Sequence, residues 1–318
     1  MTPNISVVIP LYNKAQHIRE TLESVFAQTS QPYEIIVVDD GSVDGGGDIV
    51  AGIAHPGLVL IRQTNKGVSA ARNAGVDRAK GDFVAFLDAD DSWQPIHIEE
   101  LLKLINDCPD AGLYSTMYQI RMQGRYYFPR TPFGSGFSGI VQDFCAAYAE
   151  GLSLASSSTA CVRREALIAV GGFPIDAHHG EDVIAWVKLA LRFGAAHSSR
   201  ITAIYNRDAI NRAANLPDKH VPASLVFLAD LMHQEDFKQQ FRPGAKRLFS
   251  RIAFSTAASR RENREWEGLA NILKLVLESG MWGLAFRIAL LVLIPSGLLG
   301  YARLRRHKVN VEGSTVES

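Results

Sequence analysis

Two periods of hydrophobicity alternate along the first hundred residues. Residues 5–9 form a short run, apolar except for Ser6, the pattern of a core strand. After Asn13 the pattern changes, and Ile18, Leu22, Val25 and Phe26 fall on one face of a helix. Residues 34–38 contain four consecutive branched apolar residues, a second buried strand, and residues 58–61 a third. An Ala-rich helix over 68–79 and a fourth strand over 83–87 follow. Short apolar strands separated by helices predict an α/β fold, with a mainly parallel sheet covered on both faces. Ligands of such sheets bind at the carboxyl ends of the strands. Asp39-Asp40 and Asp88-Ala89-Asp90 both stand at such ends.

From Asp107 the pattern loosens. Residues 112–121 and 126–128 read as strands joined near Gln123-Gly124, a hairpin. Residues 130–139, rich in Pro, Gly and Ser, read as a loop, and 156–162 as another strand. A helix runs from Gly180 to Phe193 with Val183, Trp186, Val187, Ala190 and Leu191 expected on its apolar face, followed by a strand over 201–205. Beyond Pro217 the chain reads as helical over 225–232, 245–259 and 266–278. The expected organisation is a catalytic domain over 1–215, a helical extension over 216–280 and an apolar segment with a basic tail over 281–318.

The 318 residues are 47% hydrophobic, enough for a large core. Thirty-three basic residues balance 33 acidic ones, which argues against a general nucleic-acid binder. Three scattered cysteines, Cys108, Cys145 and Cys161, fit a reducing compartment and small apolar roles. The N-terminus lacks a basic leader, so the catalytic part is expected in the cytoplasm. Residues 281–302 are apolar except for Arg287 and are followed by a basic run over 303–308. Three readings stay open there: a helix lying on the membrane surface, a span, and a helix pair packed on the protein.

Three carboxylates, Asp88, Asp90 and Asp91, leave one strand together. They repel unless a cation sits among them. Hard oxygen ligands suit Mg²⁺ or Mn²⁺, which commonly bridge to substrate phosphates. The other reading is an acidic turn capping the helix that begins near Pro95. Tyr12 could stack on a base or pack at a strand end, and Lys66 could offset phosphate charge or sit on a solvated helix face. The run from Asp39 through Ser42 also suits a turn and helix cap, with Gly45, Gly46 and Gly47 predicting a weak next helix start and a flexible loop. Glu181-Asp182 could equally be an N-terminal cap.

The ordered set Pro10-Leu11-Tyr12-Asn13-Lys14, Asp39-Asp40-Gly41-Ser42, Asn65-Lys66-Gly67, Ala71-Arg72-Asn73-Ala74-Gly75, Asp88-Ala89-Asp90 and Gly180-Glu181-Asp182 resembles the inverting nucleotide-sugar glycosyltransferases of family 2. The resemblance covers roughly residues 4–210. It implies the GT-A fold, a Rossmann-like mixed sheet flanked by helices. It also implies a nucleotide site over Pro10, Tyr12, Asp39, Asp40, Lys66, Arg72, Asn73, Asp88 and Ala89. Asp39 would meet the base and Asp88 the ribose. Asp90 would bind the divalent ion, with Asp91 a further ligand through water. Asp182 would be the general base, with Glu181 beside it. Trp93 and Trp186 are candidates for the acceptor pocket, although core packing suits Trp186 better. His178 and His179 read as exposed loop residues, and Tyr205-Asn206-Arg207 lies where relatives close the donor site.

The expected activity is inverting transfer from a UDP or dTDP sugar to a glycan or lipid-linked acceptor. The setting would be polysaccharide synthesis at the cytoplasmic membrane surface. The Gln-x-x-Arg-Trp signature of processive family members is absent. Two rivals are a sugar nucleotidyltransferase and a non-catalytic nucleotide-sugar-binding protein. The first should carry a Gly-rich basic loop where Pro10-Leu11-Tyr12-Asn13 stands, and the second should have lost its acidic motifs.

Overall fold

The structure, a computed structural model, describes residues 3–151, 154–177, 179–209 and 220–293. His178 and the basic run 303–308 therefore lie outside the described residues. The first half runs β1 (Ile5–Leu11), α1 (Ile18–Phe26), β2 (Glu34–Asp40), α2 (Gly46–Ala51), β3 (Leu58–Gln63), α3 (Val68–Arg78), β4 (Phe83–Phe86), β5 (Ser92–Trp93) and α4 (His97–Asp107). There follow β6 (Leu113–Met122), β7 (Arg125–Tyr127), β8 (Ser138–Ile140), α5 (Phe144–Gly151), β9 (Ala160–Arg163), α6 (Arg164–Ala169), α7 (Glu181–Phe193) and β10 (Ala195–Asn206). Four helices close the described chain: α8 (Ala223–His233), α9 (Arg242–Glu262), α10 (Trp266–Glu278) and α11 (Trp282–Leu290).

One mixed sheet carries the order β3-β2-β1-β4-β9-β6-β10-β5. The strands β3, β2, β1 and β4 are parallel neighbours, as are β6 and β10. Antiparallel β9 joins the two halves. Side chains of each strand alternate between two cores. Val7, Ile9, Ile35, Val37, Ala85 and Leu87 pack toward α1 and α4, whereas Val8, Ile36, Val38, Val84 and Phe86 pack toward α3, α5 and α7. This double burial is why the strands read as unbroken apolar runs. Helices α8–α11 bury Leu225, Phe249, Ile272 and Ile288 in the second of these cores.

Several elements depart from expectation for visible reasons. The strand expected over 156–162 starts only at Ala160, because Ser156 and Thr159 turn the chain on their own backbone and hydroxyl bonds. Strand β10 is longer than the 201–205 expected, since its first half carries buried polar residues. His197 Nδ1 meets Ser115 Oγ at 2.9 Å and Ser198 Oγ donates to Glu100 at 2.6 Å. Helix α5 gave no amphipathic signal, because it is apolar nearly all round and sinks Phe144, Cys145 and Tyr148 into the core. On α7 the buried face is Ile184, Ala185, Trp186, Val187 and Leu189, and the expected Val183, Ala190 and Leu191 are half-buried. The hairpin turn does fall at Gln123-Gly124, with φ of 53° and 67°.

A candidate active site at the strand ends

The parallel strands deliver their carboxyl ends to one rim. Leu11 of β1 pairs with Asp39 of β2, and β4 lies on the other side of β1, two residues short of Asp88. The loops after β1 and β2 are laced together. Asn13, at φ 52°, accepts from the Val43 amide at 2.9 Å and gives its own amide to Ser42 Oγ at 3.1 Å. Asp44 accepts the Ala15 amide at 2.8 Å. This lacing fixes the loop that leaves Tyr12 49% exposed, with a ring face available for stacking. Pro10 is buried in β1, as sheet rather than as a contact surface.

The two rim carboxylates of β2 do different things. Asp39 is buried and accepts the Ser42 amide at 2.9 Å. Its other oxygen lies where a side chain on Gly47 would stand, 2.0 Å from an added Cβ. Close approach therefore requires glycine at Gly47, while Gly45 has open space around it and a left-handed φ of 84°; Gly46 and Gly47 are buried in α2. Asp40 organises the entry to α3. It accepts the amides of Lys66 and Gly67, each at 2.9 Å, and Gln63 Nε2 at 2.7 Å. Lys66 itself is exposed at that helix start. Asn73 clamps the backbone of Phe173, donating to its carbonyl at 2.7 Å and accepting its amide at 2.9 Å, so its amide group already serves the fold.

The acidic strand end divides its labour as well. Asp90 is half-buried and pairs with Lys14 Nζ at 2.7 Å. Ala89 is buried, and its carbonyl receives Thr21 Oγ1 at 3.0 Å. Asp91, expected to reach an ion through water, is turned into the protein. Its oxygens accept Ser158 Oγ at 2.5 Å and the Asn206 amide at 2.8 Å. Burial, then the charges of Asp88 and Asp90, push its pKa well above the usual range. Thus Asn206 braces the acidic loop from beneath. Trp93 and Trp186 are both buried, Trp93 on His97 and Trp186 against Phe86 and Phe173. Neither faces an open acceptor pocket.

Arg72 joins the two acidic motifs. Its guanidinium, almost wholly buried over the Phe173 ring, binds Asp88 at 2.9 Å and Glu181 at 2.8 Å. Glu181, 109 residues beyond Arg72, thereby shares one side chain with Asp88. Two anionic neighbours outweigh the desolvation of the guanidinium and hold its pKa above the usual value. Glu181 and Asp182 open α7, after Gly180 in the left-handed region at φ 85°. Asp182 is half-buried and accepts the Val183 amide at 2.8 Å. Burial and the Glu181 charge raise its pKa from 3.8 to about 7, against the opposing pull of Arg72. A base poised near neutral pH suits proton abstraction. Tyr148 of α5 also lies near this carboxylate, whose charge adds to the burial that raises the phenol's pKa. No local pattern pointed to Tyr148, since its helix was not foreseen. Lys14 stands in the first motif without an expected role, although a cation just past a core strand was the available signal.

Gly180 fixes where the pair sits. An added Cβ would lie 2.4 Å from Ser224 Oγ of α8. Gly180→Ala is expected to lose about 1–2 kcal/mol from the left-handed backbone alone, more with the clash, read as a lower urea midpoint.

Among the described residues no three His, Cys, Asp or Glu side chains converge to cage an ion. Asp90 nevertheless presents a carboxylate already engaged by a cation, beside Asp88. Mg²⁺ and similar ions commonly take one or two carboxylates and complete their shell with water and substrate phosphates. The residues fit an ion shared with a diphosphate rather than a caged one.

The profile of glycosyl transferase family 2 matches residues 6–171. The chain is 46% identical over 119 residues to the succinoglycan biosynthesis protein ExoW of Rhizobium meliloti, covering 34% of this chain and 37% of that protein. The matched stretches span 18% to 42% of the length of such curated relatives. Among solved structures it resembles S. aureus TarS 1-349 in complex with UDP-GlcNAc, with a TM-score of 0.73 and 21% identity over 95% of this chain and 88% of that one. It also resembles the mannosyltransferase PcManGT from Pyrobaculum calidifontis, in complex with GDP-Man and Mn²⁺, with a TM-score of 0.59 and 20% identity over 96% and 87% of the two chains. At these identities the structural likeness speaks for the fold.

Proposed function

The chain belongs to glycosyl transferase family 2 and has the GT-A fold, and from that premise we propose that it is an inverting, metal-dependent glycosyltransferase. The donor is a UDP or dTDP sugar. The acceptor is a hydroxyl of a glycan or lipid-linked intermediate in surface polysaccharide synthesis, met at the cytoplasmic face of the membrane. One observation carries this reading: a single buried guanidinium, Arg72, binds both Asp88 of the nucleotide rim and Glu181 of the acidic pair. Donor grip and proton removal therefore share one site.

In this mechanism Tyr12 stacks on the base and Asp39 accepts from it. Asp88, oriented by Arg72, meets the ribose. Asp90 would hold Mg²⁺ or Mn²⁺, with Lys14 as a further cation beside the diphosphate. Such an ion, when bound, stabilises the negative charge that develops on the departing nucleoside diphosphate. Asp182 takes the proton of the acceptor hydroxyl. The acceptor oxygen bonds to the anomeric carbon as the bond from that carbon to the phosphate oxygen breaks, and the diphosphate leaves with the electron pair. Attack from the face opposite the leaving group inverts the centre, and no enzyme nucleophile is needed.

Thermal-shift screening of nucleotide sugars with Mn²⁺ identifies the donor, because a ligand of the native state raises its melting temperature. Asp90→Ala and chelation should each abolish the metal-dependent part of that shift and cut transfer by about 10²–10³-fold, the scale of losing one charge stabiliser. An Asp90→Ala protein that keeps both metal-dependent shift and turnover would remove Asp90 from the ion site.

A further inference from the structure

Helix α11 has two apolar faces and only one is covered. Leu284, Ala285 and Ile288 pack into the core shared with α9 and α10. Trp282 and Phe286, one turn apart, point outward at 71% and 66% exposure. Leu290 and then Leu293, at 77% exposure in the 3-10 turn that follows, extend the same stripe. Over these twelve positions Arg287 is the sole charge. A stripe with two large aromatics so exposed is unlike scattered surface apolar residues and marks a surface that something covers.

The chemistry of that cover is indicated by its surroundings. A cleft of about 410 Å³ lies at the root of α11, lined by Met281 and Ser279 together with His233, Arg242 and Lys246. No acidic residue lines it. Past the described residues the sequence continues apolar and then places Arg303, Arg305, Arg306 and Lys308 within six positions. Trp and Phe beside Lys and Arg are the pairing that seats in the headgroup region of an anionic bilayer. No described helix is long and apolar enough to cross a membrane, and α11 is held to the protein along its other face. The described part of the segment is therefore suited to lying on a surface.

We propose that the outward face of α11, with the basic cleft at its root, docks this protein onto an anionic lipid surface. The proposal rests on the membrane-side acceptor reading above and names the surface that serves it. Trp282, Phe286, Leu290 and Leu293 enter the acyl boundary, while Lys246 faces phosphate headgroups and Arg242, which donates to the Met232 and Gln234 carbonyls, holds the cleft wall.

The test uses the full chain with vesicles of phosphatidylcholine alone or mixed with phosphatidylglycerol. Sedimentation should show at least tenfold stronger partition onto the anionic vesicles. Trp282→Ser with Phe286→Ser should lower that partition at least tenfold. Lys246→Glu should lower it severalfold and narrow the preference for anionic vesicles by the same factor. Both variants lie far from Asp88 and Asp182 in the chain and should keep the wild-type melting temperature and its nucleotide-sugar shift. That shift separates failure of docking from failure of the glycosyltransferase reading. Undiminished anionic binding in the double variant overturns the proposal. So does a concentration-dependent dimer, lost in the double variant, without vesicle binding, because the stripe then covers a second copy.

Discussion

Replacing Asp182 by asparagine is expected to lower kcat by about 10²–10⁴-fold, the range for losing a general base, while donor affinity stays within about threefold. The substitution keeps shape and the start of α7, and removes only the ability to take a proton. The pH profile sharpens the test. In the wild type, kcat/KM should rise as Asp182 deprotonates through about 7. In the variant that limb should disappear. Stability gives an independent readout with a definite sign. Asp182 titrates at 3.8 in the unfolded chain and at about 7 in the folded one, so the folded protein binds the extra proton between those values. Stability conferred by this group therefore falls as pH rises through that window. Asp182→Asn should flatten the fall in urea midpoint between pH 4 and about 7. A variant that loses donor binding more than turnover would make Asp182 a donor ligand instead.

Replacing Arg72 by methionine is expected to cost about 3–5 kcal/mol of stability, the scale for leaving a buried charge without its partner. Here Glu181 and Asp88 both lose their counter-ion. Arg72 also restrains the pKa of Asp182, so in any folded Arg72→Met protein the acidic limb should move upward from about 7. Arg72→Lys keeps the charge but not the fork that reaches two carboxylates at once. It should recover part of the stability and little of the activity. A purely structural arginine would give a stability loss with no change in the pH profile, so the shifted limb separates the two roles.

The double-sided burial of β1, β2 and β4 was legible because continuous apolar runs have no other common use at that length. Helix α1 was legible from its stripe. The junction strand β9 and the all-apolar α5 were not, since hydroxyl self-bonding shortened one and uniform burial erased the period of the other. Asp91 shows the limit for side chains. Its sequence places it in an acidic cluster, yet Ser158 and the Asn206 amide, contributed from the loop before β9 and from β10, draw it inward.

By itself, then, the sequence determined β1, α1, β2, β3, α3 and β4 and which strand ends carry acid, because hydrophobic period and turn chemistry are local. Only the tertiary structure decided which carboxylates face the rim, which face the interior, and that Arg72 serves two motifs at once. Those outcomes depend on contacts between residues distant along the chain. Burial and neighbouring charge, which set the pKa of Asp182, exist only once those residues are packed together.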